Sequence, residues 1–323
     1  MDSTGNIVAI PDLKTKYQHS ELLIKSEIRV HHIEYATEVD FREGLLLLNK
    51  GISHLPFKYG NKYVSIDSQG KVAFEKRCEW MGPFSEGLAQ IMLVKKFLFI
   101  KTGSHYGYVK RDGTYHIRPQ FDYAGPFSEG MAHVMENGKF GYIDRNGVFI
   151  IKPLFQNAWP FSEGLAAVRF KGNYGYIDKK GHFIIQPSFD HAWGFNNGLA
   201  RIVLNNKYGY IDKDGNFVIK PIFNNAFDFS ENLACVQYNE KIGFINRQGD
   251  FAIKPQFSNG GSFSNGLAPV EMNKKWGYIN QDGDFNIPCK YQFAYPFNNH
   301  IGIVWEDDYP KYINQYGVAL RPV

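Results

Sequence analysis

The residues able to do chemistry are few, and their spacing does not favour a single reacting centre. Asp212 and Asp214, ahead of Gly215, could open a calcium loop. The spaced carboxylates and closing Glu of an EF-hand do not follow, so a β-turn capped by its own Asp is the better reading. His31 and His32 are the one adjacent histidine pair, with Glu34 and Cys78 as conceivable co-ligands. A solvated strand end is the plainer account, since metal sites need further ligands at fixed spacing. Cys78, Cys235 and Cys289 are odd in number and far apart, which writes neither a disulfide framework nor a CxxC site. Cys235 has no base beside it to make it a nucleophile. The glycines fall one per turn, not as a GxGxxG or GxxxxGK phosphate cradle. Ser-Glu pairs recur too regularly for one catalytic site, and a polar turn before a strand explains them. No metal, cofactor or catalytic group is therefore expected.

The elements that must position these residues come from an internal repeat. Phe-Ser-Glu-Gly-Leu-Ala at residues 84–89 returns, with small changes, at 127, 161, 195, 229 and 263, and weaker copies start at 41 and 297. The Phe spacing is 43, 43, and then 34 five times. A second marker holds the same phase, as in Tyr174-Gly175-Tyr176-Ile177 and Trp276-Gly277-Tyr278-Ile279. A third is a glycine four residues after that Ile or Val: Gly70, Gly113, Gly147, Gly181, Gly215, Gly249, Gly283 and Gly317. Three markers in one phase identify a tandem array.

Each unit reads as strand, turn, strand, turn, strand. In residues 199–204 the side chains alternate, with Ala200, Ile202 and Leu204 on one face and Arg201 and Val203 on the other. Asn205 to Lys207 is a turn, 208–211 a second strand, 212–215 a second turn and 216–219 a third strand, ended by Pro221. The connector that follows has room for a short fourth strand. Asp or Asn at 67, 144, 178, 212, 246, 280 and 314 can bond amides one or two residues on, with the turn glycine at positive φ.

Trp276-Gly277-Tyr278-Ile279-Asn280-Gln281-Asp282-Gly283, with Pro255, Phe257 and residues 263–268, resembles the WG-repeat family of bacterial proteins. The resemblance runs from about Phe41 to Val323, with a partial copy starting near Ile28 and Tyr35 in the connector register. It implies all-β units and no shared catalytic residues. The expected fold is all-β: about eight 34-residue antiparallel β-meanders stacked in an open curved array. Residues 1–40 form a cap with a partial repeat, and units begin at 41, 84, 127, 161, 195, 229, 263 and 297. A closed β-propeller is the alternative. Its blades usually take about 40 residues or more, but the last unit stops at Pro322 where the N-terminal fragment takes up the pattern.

Function should lie in what the units do not share. The first strands carry an apolar column expected to pack, and a variable one expected to face outward: His133/Met135, Ala167/Arg169, Arg201/Val203, Cys235/Gln237, Pro269/Glu271 and Ile303/Trp305. Trp159, Trp193, Phe227 and Tyr295 occupy one connector position and would form an aromatic stripe, either an interface or packing between repeats. The two long units hold nine extra residues each, near 51–61 and 95–105, with Phe57, Phe97 and Phe99 as apolar contacts for a partner or a cap. The partner-binding candidates are thus Phe57, Phe97, Phe99, His133, Met135, Trp159, Arg169, Trp193, Arg201, Gln237, Glu271 and Trp305.

The 36 basic and 32 acidic residues leave a net charge of +4, too balanced to imply nucleic acid or a membrane surface. No secretory signal or membrane-spanning stretch is visible. Together with the cysteine pattern this implies a cytoplasmic protein. The expected function is non-catalytic protein binding or scaffolding. The alternatives are a carbohydrate or cell-wall binder, and a regulatory or immunity partner of an enzyme or toxin.

Overall fold

The computed structural model describes residues 45–52, 61–67, 71–97 and 100–320. Phe57, Phe99, Gly70 and the His31-His32 pair lie outside the described residues, as does the N-terminal cap of residues 1–40. Among the described residues every regular element is a β-strand, and no helix is long and apolar enough to cross a membrane. The described strands form eight separate antiparallel sheets, six of four strands and two of three, and none curls shut on itself. The fold is an all-β tandem array of open meanders. It divides into two compact units, Met1–Phe155 and Gln156–Val323, the first holding the first three sheets and the second the other five.

The fourth sheet shows how one repeat folds. Asn157–Ala158, Ala166–Phe170, Asn173–Ile177 and Phe183–Phe189 lie side by side in chain order. The connector therefore does contribute a short fourth strand, and it is the edge of the sheet. Lys171 and Gly172 turn the first strand into the second with φ of 52° and 98°, the paired positive values that match strand twist in a two-residue hairpin. In the next sheet Asn205 and Asn206 do the same, and Lys207 already belongs to the second strand.

The glycine of the Tyr-Gly-Tyr-Ile marker has a steric cause. The third strand carries extra residues, so that Tyr174 opposes Phe189 while Tyr176 opposes Ile185. This bulge folds over Gly175, where a Cβ would fall 2.5 Å from the Ile185 carbonyl oxygen and 2.7 Å from the Pro187 nitrogen. The proline and the glycine are two halves of one close contact. At the second turn Gly215 has φ of 87°, and the Asp212 carboxylate accepts from the amides of Asp214 and Asn216. The caps thus reach two and four residues on, not one or two.

Neighbouring sheets within a unit interlock through the same markers. Tyr176, Ile185 and Phe189 of the fourth sheet bury against Ala200, Ile202 and Ile211 of the fifth. Burying one such ring contributes roughly 2 kcal/mol before entropy is counted. The Tyr176 hydroxyl donates across to the Trp193 carbonyl at 2.8 Å, as Tyr210 does to Phe227 at 2.6 Å and Tyr278 to Tyr295 at 2.7 Å. The Phe-Ser-Glu-Gly turn is a latch as well as a turn. Ser162 donates to the Phe195 carbonyl at 2.5 Å, while Glu163 accepts from the Gly198 amide at 3.0 Å and from Lys213 at 3.0 Å. The set recurs at Ser85, Glu86, Gly130 and Arg145, and at Ser230, Glu231, Gly266 and Gln281.

The long repeat that begins at Phe84 accommodates its extra residues by lengthening a hairpin. Leu88–Phe97 and Ile100–Lys110 pair over their whole length, to Phe97 opposite Ile100.

Candidate functional site

The expected split of each first strand into a packing column and an outward column needs correction. The first member of the variable pairs is mostly inside: Ala167 and Cys235 are fully buried, Pro269 is buried, and His133 is 5% exposed. The second member is more open, with Arg169 exposed and Met135, Val203, Gln237, Glu271 and Trp305 half-buried. The reason is the connector strand, which runs beside the first strand and covers its inner half. The Trp159 amide donates to the Ala167 carbonyl at 3.0 Å, and Phe227 to Cys235 at 2.9 Å.

Connector residue and strand residue therefore share one volume. A Cβ on Gly125 would fall 1.9 Å from the His133 ring, and one on Gly82 2.5 Å from Gln90. Where the connector carries Trp159 or Phe227, the strand carries Ala167 or Cys235. Trp193 and Arg201 are both large, and they resolve the conflict by stacking, with the guanidinium 3.9 Å from the ring centroid. Arg201 then reaches the next sheet, donating to the Ala226 carbonyl and pairing with Asp228 at 3.0 Å.

Around this stack the fourth and fifth sheets gather four of the predicted residues. His191 stacks on Trp193 at 4.2 Å and on Tyr174 at 4.7 Å, and Trp159 lies 6.4 Å from it. Tyr208 lies 6.0 Å from Trp193, its ring near parallel. Arg169 lies 5.9 Å from the Tyr174 ring and donates from Nε to the Gly172 carbonyl at 2.9 Å. The result is a ladder in the order Arg169, Tyr174, His191, Trp193, Arg201. Burial pushes the His191 imidazole below its ordinary value, and the two arginines add to that.

The ladder does not extend through the whole predicted set. The connector stripe is interleaved, with His191 coming between Trp159 and Trp193, while Phe227 and Tyr295 stand 38% and 37% exposed farther along the unit. Phe97 lies in the lengthened hairpin. Tyr174, His191 and Tyr208 were not among the candidates, nor was a second ring series in the other unit. There Tyr106 lies 6.3 Å from Trp80 and 5.5 Å from Tyr123, which lies 5.8 Å from Phe140. The available signal was the connector residue just before the Ala, Gly or Met that pairs with the first strand. It is a ring at Trp80, Tyr123, His191 and Phe293, and Asn at 157, 225 and 259, where the side chain bonds the next amide.

Among the described residues, groups suited to catalysis do not meet. Burial pushes the Cys78 and Cys235 thiols up to about 12, which keeps them protonated. His116 contacts the Arg145 carbonyl at 2.7 Å, and His182 lies 3.3 Å from Asp178 in a turn. Among the described residues no three His, Cys, Asp or Glu side chains are grouped to hold a metal ion.

The sequence profile described as "WG containing repeat" matches residues 66–96, 106–140, 140–174, 174–208, 208–241, 242–276 and 276–304, more than half of the chain. No curated protein is significantly similar to it in sequence. Among solved structures it is similar to one titled "Crystal structure of the eukaryotic initiation factor", at 10% identity and a TM-score of 0.60, over 84% of this chain and 87% of that one. It also matches apo AztD from Citrobacter koseri at 8% identity and a TM-score of 0.43, over 80% of this chain and 91% of that one. The dihydro-heme d1 dehydrogenase NirN aligns at 9% identity and a TM-score of 0.48, over 88% of this chain and 73% of that one. The first of these likenesses extends to the fold alone.

Proposed function

The chain belongs to the WG containing repeat family, and from that premise we propose that it is a non-catalytic protein-binding or scaffolding protein whose partner docks on the ring ladder of the fourth and fifth sheets. The observation that carries this reading is the division of labour among side chains. The shared residues are engaged in turns, bulges and latches, whereas the unlike residues Arg169, His191, Trp193 and Arg201 meet on one face. Aromatic and arginine side chains of this kind anchor protein interfaces. Sugar binding is less well supported, because it needs free ring faces. Here His191 is faced by Tyr174 and Trp193, and Trp193 by Arg201. Cys78, Cys235 and Cys289 are all unpaired, which suits a reducing compartment.

The test compares the full chain with a ladder variant, His191→Ser with Trp193→Leu, and with an outer-strand variant, Ile184→Ser with Val218→Ser, each checked for an unchanged β-sheet spectrum. Immobilised wild type should retain from native lysate a protein that co-elutes with it as a defined complex in gel filtration. The ladder variant should lose it and the outer-strand variant keep it. Equal retention by all three forms would remove the ladder as the docking face.

A further inference from the structure

We propose that the docking segment of the partner is an acidic, extended peptide whose carboxylates are taken by Arg169. This inference rests on the protein-binding reading above and names the chemistry of its ligand. Its starting point is one exposed cation beside the ladder. Lys213 is paired with Glu163 at 3.0 Å, Lys311 with Glu306 at 2.6 Å and Arg201 with Asp228 at 3.0 Å. Arg169 is exposed, yet among the described residues no carboxylate pairs with it.

Arg169 is nonetheless held in place. Its Nε donates to the Gly172 carbonyl at 2.9 Å, and the guanidinium carbon lies 5.9 Å from the Tyr174 ring centroid. The terminal nitrogens are left to face solvent, and a planar guanidinium so fixed offers two parallel donors to a carboxylate. Lys171, exposed on the same hairpin and 5.4 Å from the Phe170 ring, adds a second cation. The field is felt inside the ladder, where Arg201 and Arg169 both disfavour a proton on His191.

The ladder also excludes another class of anion. Single-stranded nucleic acid is bound by stacking bases on open aromatic faces. These faces are filled by one another. A peptide in extended form places alternate side chains 6–7 Å apart, by roughly 3.3 Å per residue. Carboxylates at alternate positions lie on one side of such a peptide and are presented together to Arg169 and Lys171.

The experiment uses the full chain and a dye-labelled ten-residue peptide of alternating Glu and Leu, read by fluorescence anisotropy at low ionic strength. The comparison ligands are the same peptide with Gln for Glu and a ten-nucleotide oligo-dT. Arg169→Ala should weaken binding of the Glu peptide about tenfold or more, the Gln peptide should bind correspondingly worse, and Lys254→Ala should change nothing. Equal binding of the Glu and Gln peptides, or an Arg169→Ala chain that binds as well as wild type, would overturn the inference. Tighter binding of oligo-dT would overturn it in favour of nucleic acid. Failure here is separable from failure of the protein-binding reading. A lysate partner lost with the His191/Trp193 variant but kept by Arg169→Ala would leave that reading standing and remove the acidic ligand.

Discussion

Two single residues carry sharp expectations. His133 is buried among Tyr123, Phe140 and Tyr142, and burial pushes its pKa down to about 4. Its folded value lies below the unfolded value of about 6.5, so the unfolded chain takes up the proton first as pH falls. Stability should therefore drop between pH 6.5 and 4, by about 2 kcal/mol on going from pH 7 to pH 5. Urea titrations at both pH values should show that His133→Leu loses correspondingly less; an identical loss in both proteins contradicts this account. The second residue is Phe244, which holds the place taken by Tyr176, Tyr210 and Tyr278 in other sheets and has no hydroxyl to donate. Those hydroxyls reach the carbonyl seventeen residues later, which for position 244 is Gly261. Phe244→Tyr should stabilise the protein, and Tyr210→Phe destabilise it, each by about 1 kcal/mol. Thermal melting would show the two shifts with opposite sign.

The elements explain what could be read in advance and what could not. Gly209 and Gly164 look alike in sequence, as glycines that recur in phase with the repeat, but the backbone treats them differently. A Cβ at Gly209 would meet the Ile219 carbonyl oxygen at 2.7 Å, whereas Gly164 has φ of 88° and nothing within 4 Å. Gly209→Ala should cost about 3 kcal/mol or more, because backbone must move, and Gly164→Ala only about 1 kcal/mol of left-handed strain. Denaturation midpoints of the two variants would rank them, and the reverse order would count against the bulge as the reason for the marker glycine. The strands, turns and positive-φ glycines were legible because period-two alternation and Asp-x-x-Gly spacing are local signals. The covering of Ala167 and Cys235 was not, because it depends on the connector strand, whose two residues carry no periodicity of their own. Arg169, Trp159, Trp193 and Arg201 were found as variable positions. Tyr174 and Tyr208 were hidden by belonging to the marker itself.

At the scale of the array, neighbouring sheets within a unit are bound by latches that repeat with the sequence, so perturbations should stay local. Replacing Ser162 and Glu163 together by Ala removes the contacts to Phe195, Gly198 and Lys213. Hydrogen exchange should speed up in Ala166–Phe170 and Leu199–Leu204 and remain unchanged in Ala268–Met272. Faster exchange throughout the chain would point to a single cooperative block instead. The volume shared by a connector residue and the strand residue eight positions later also constrains ancestry. A Trp arising at Gly125 would collide with His133, whose bulk must first be given up. Descendants can therefore exchange one ring chemistry for another by way of a hollowed ancestor small at both places or through a stacked pair such as Trp193 and Arg201, and the two positions should be inherited as a pair.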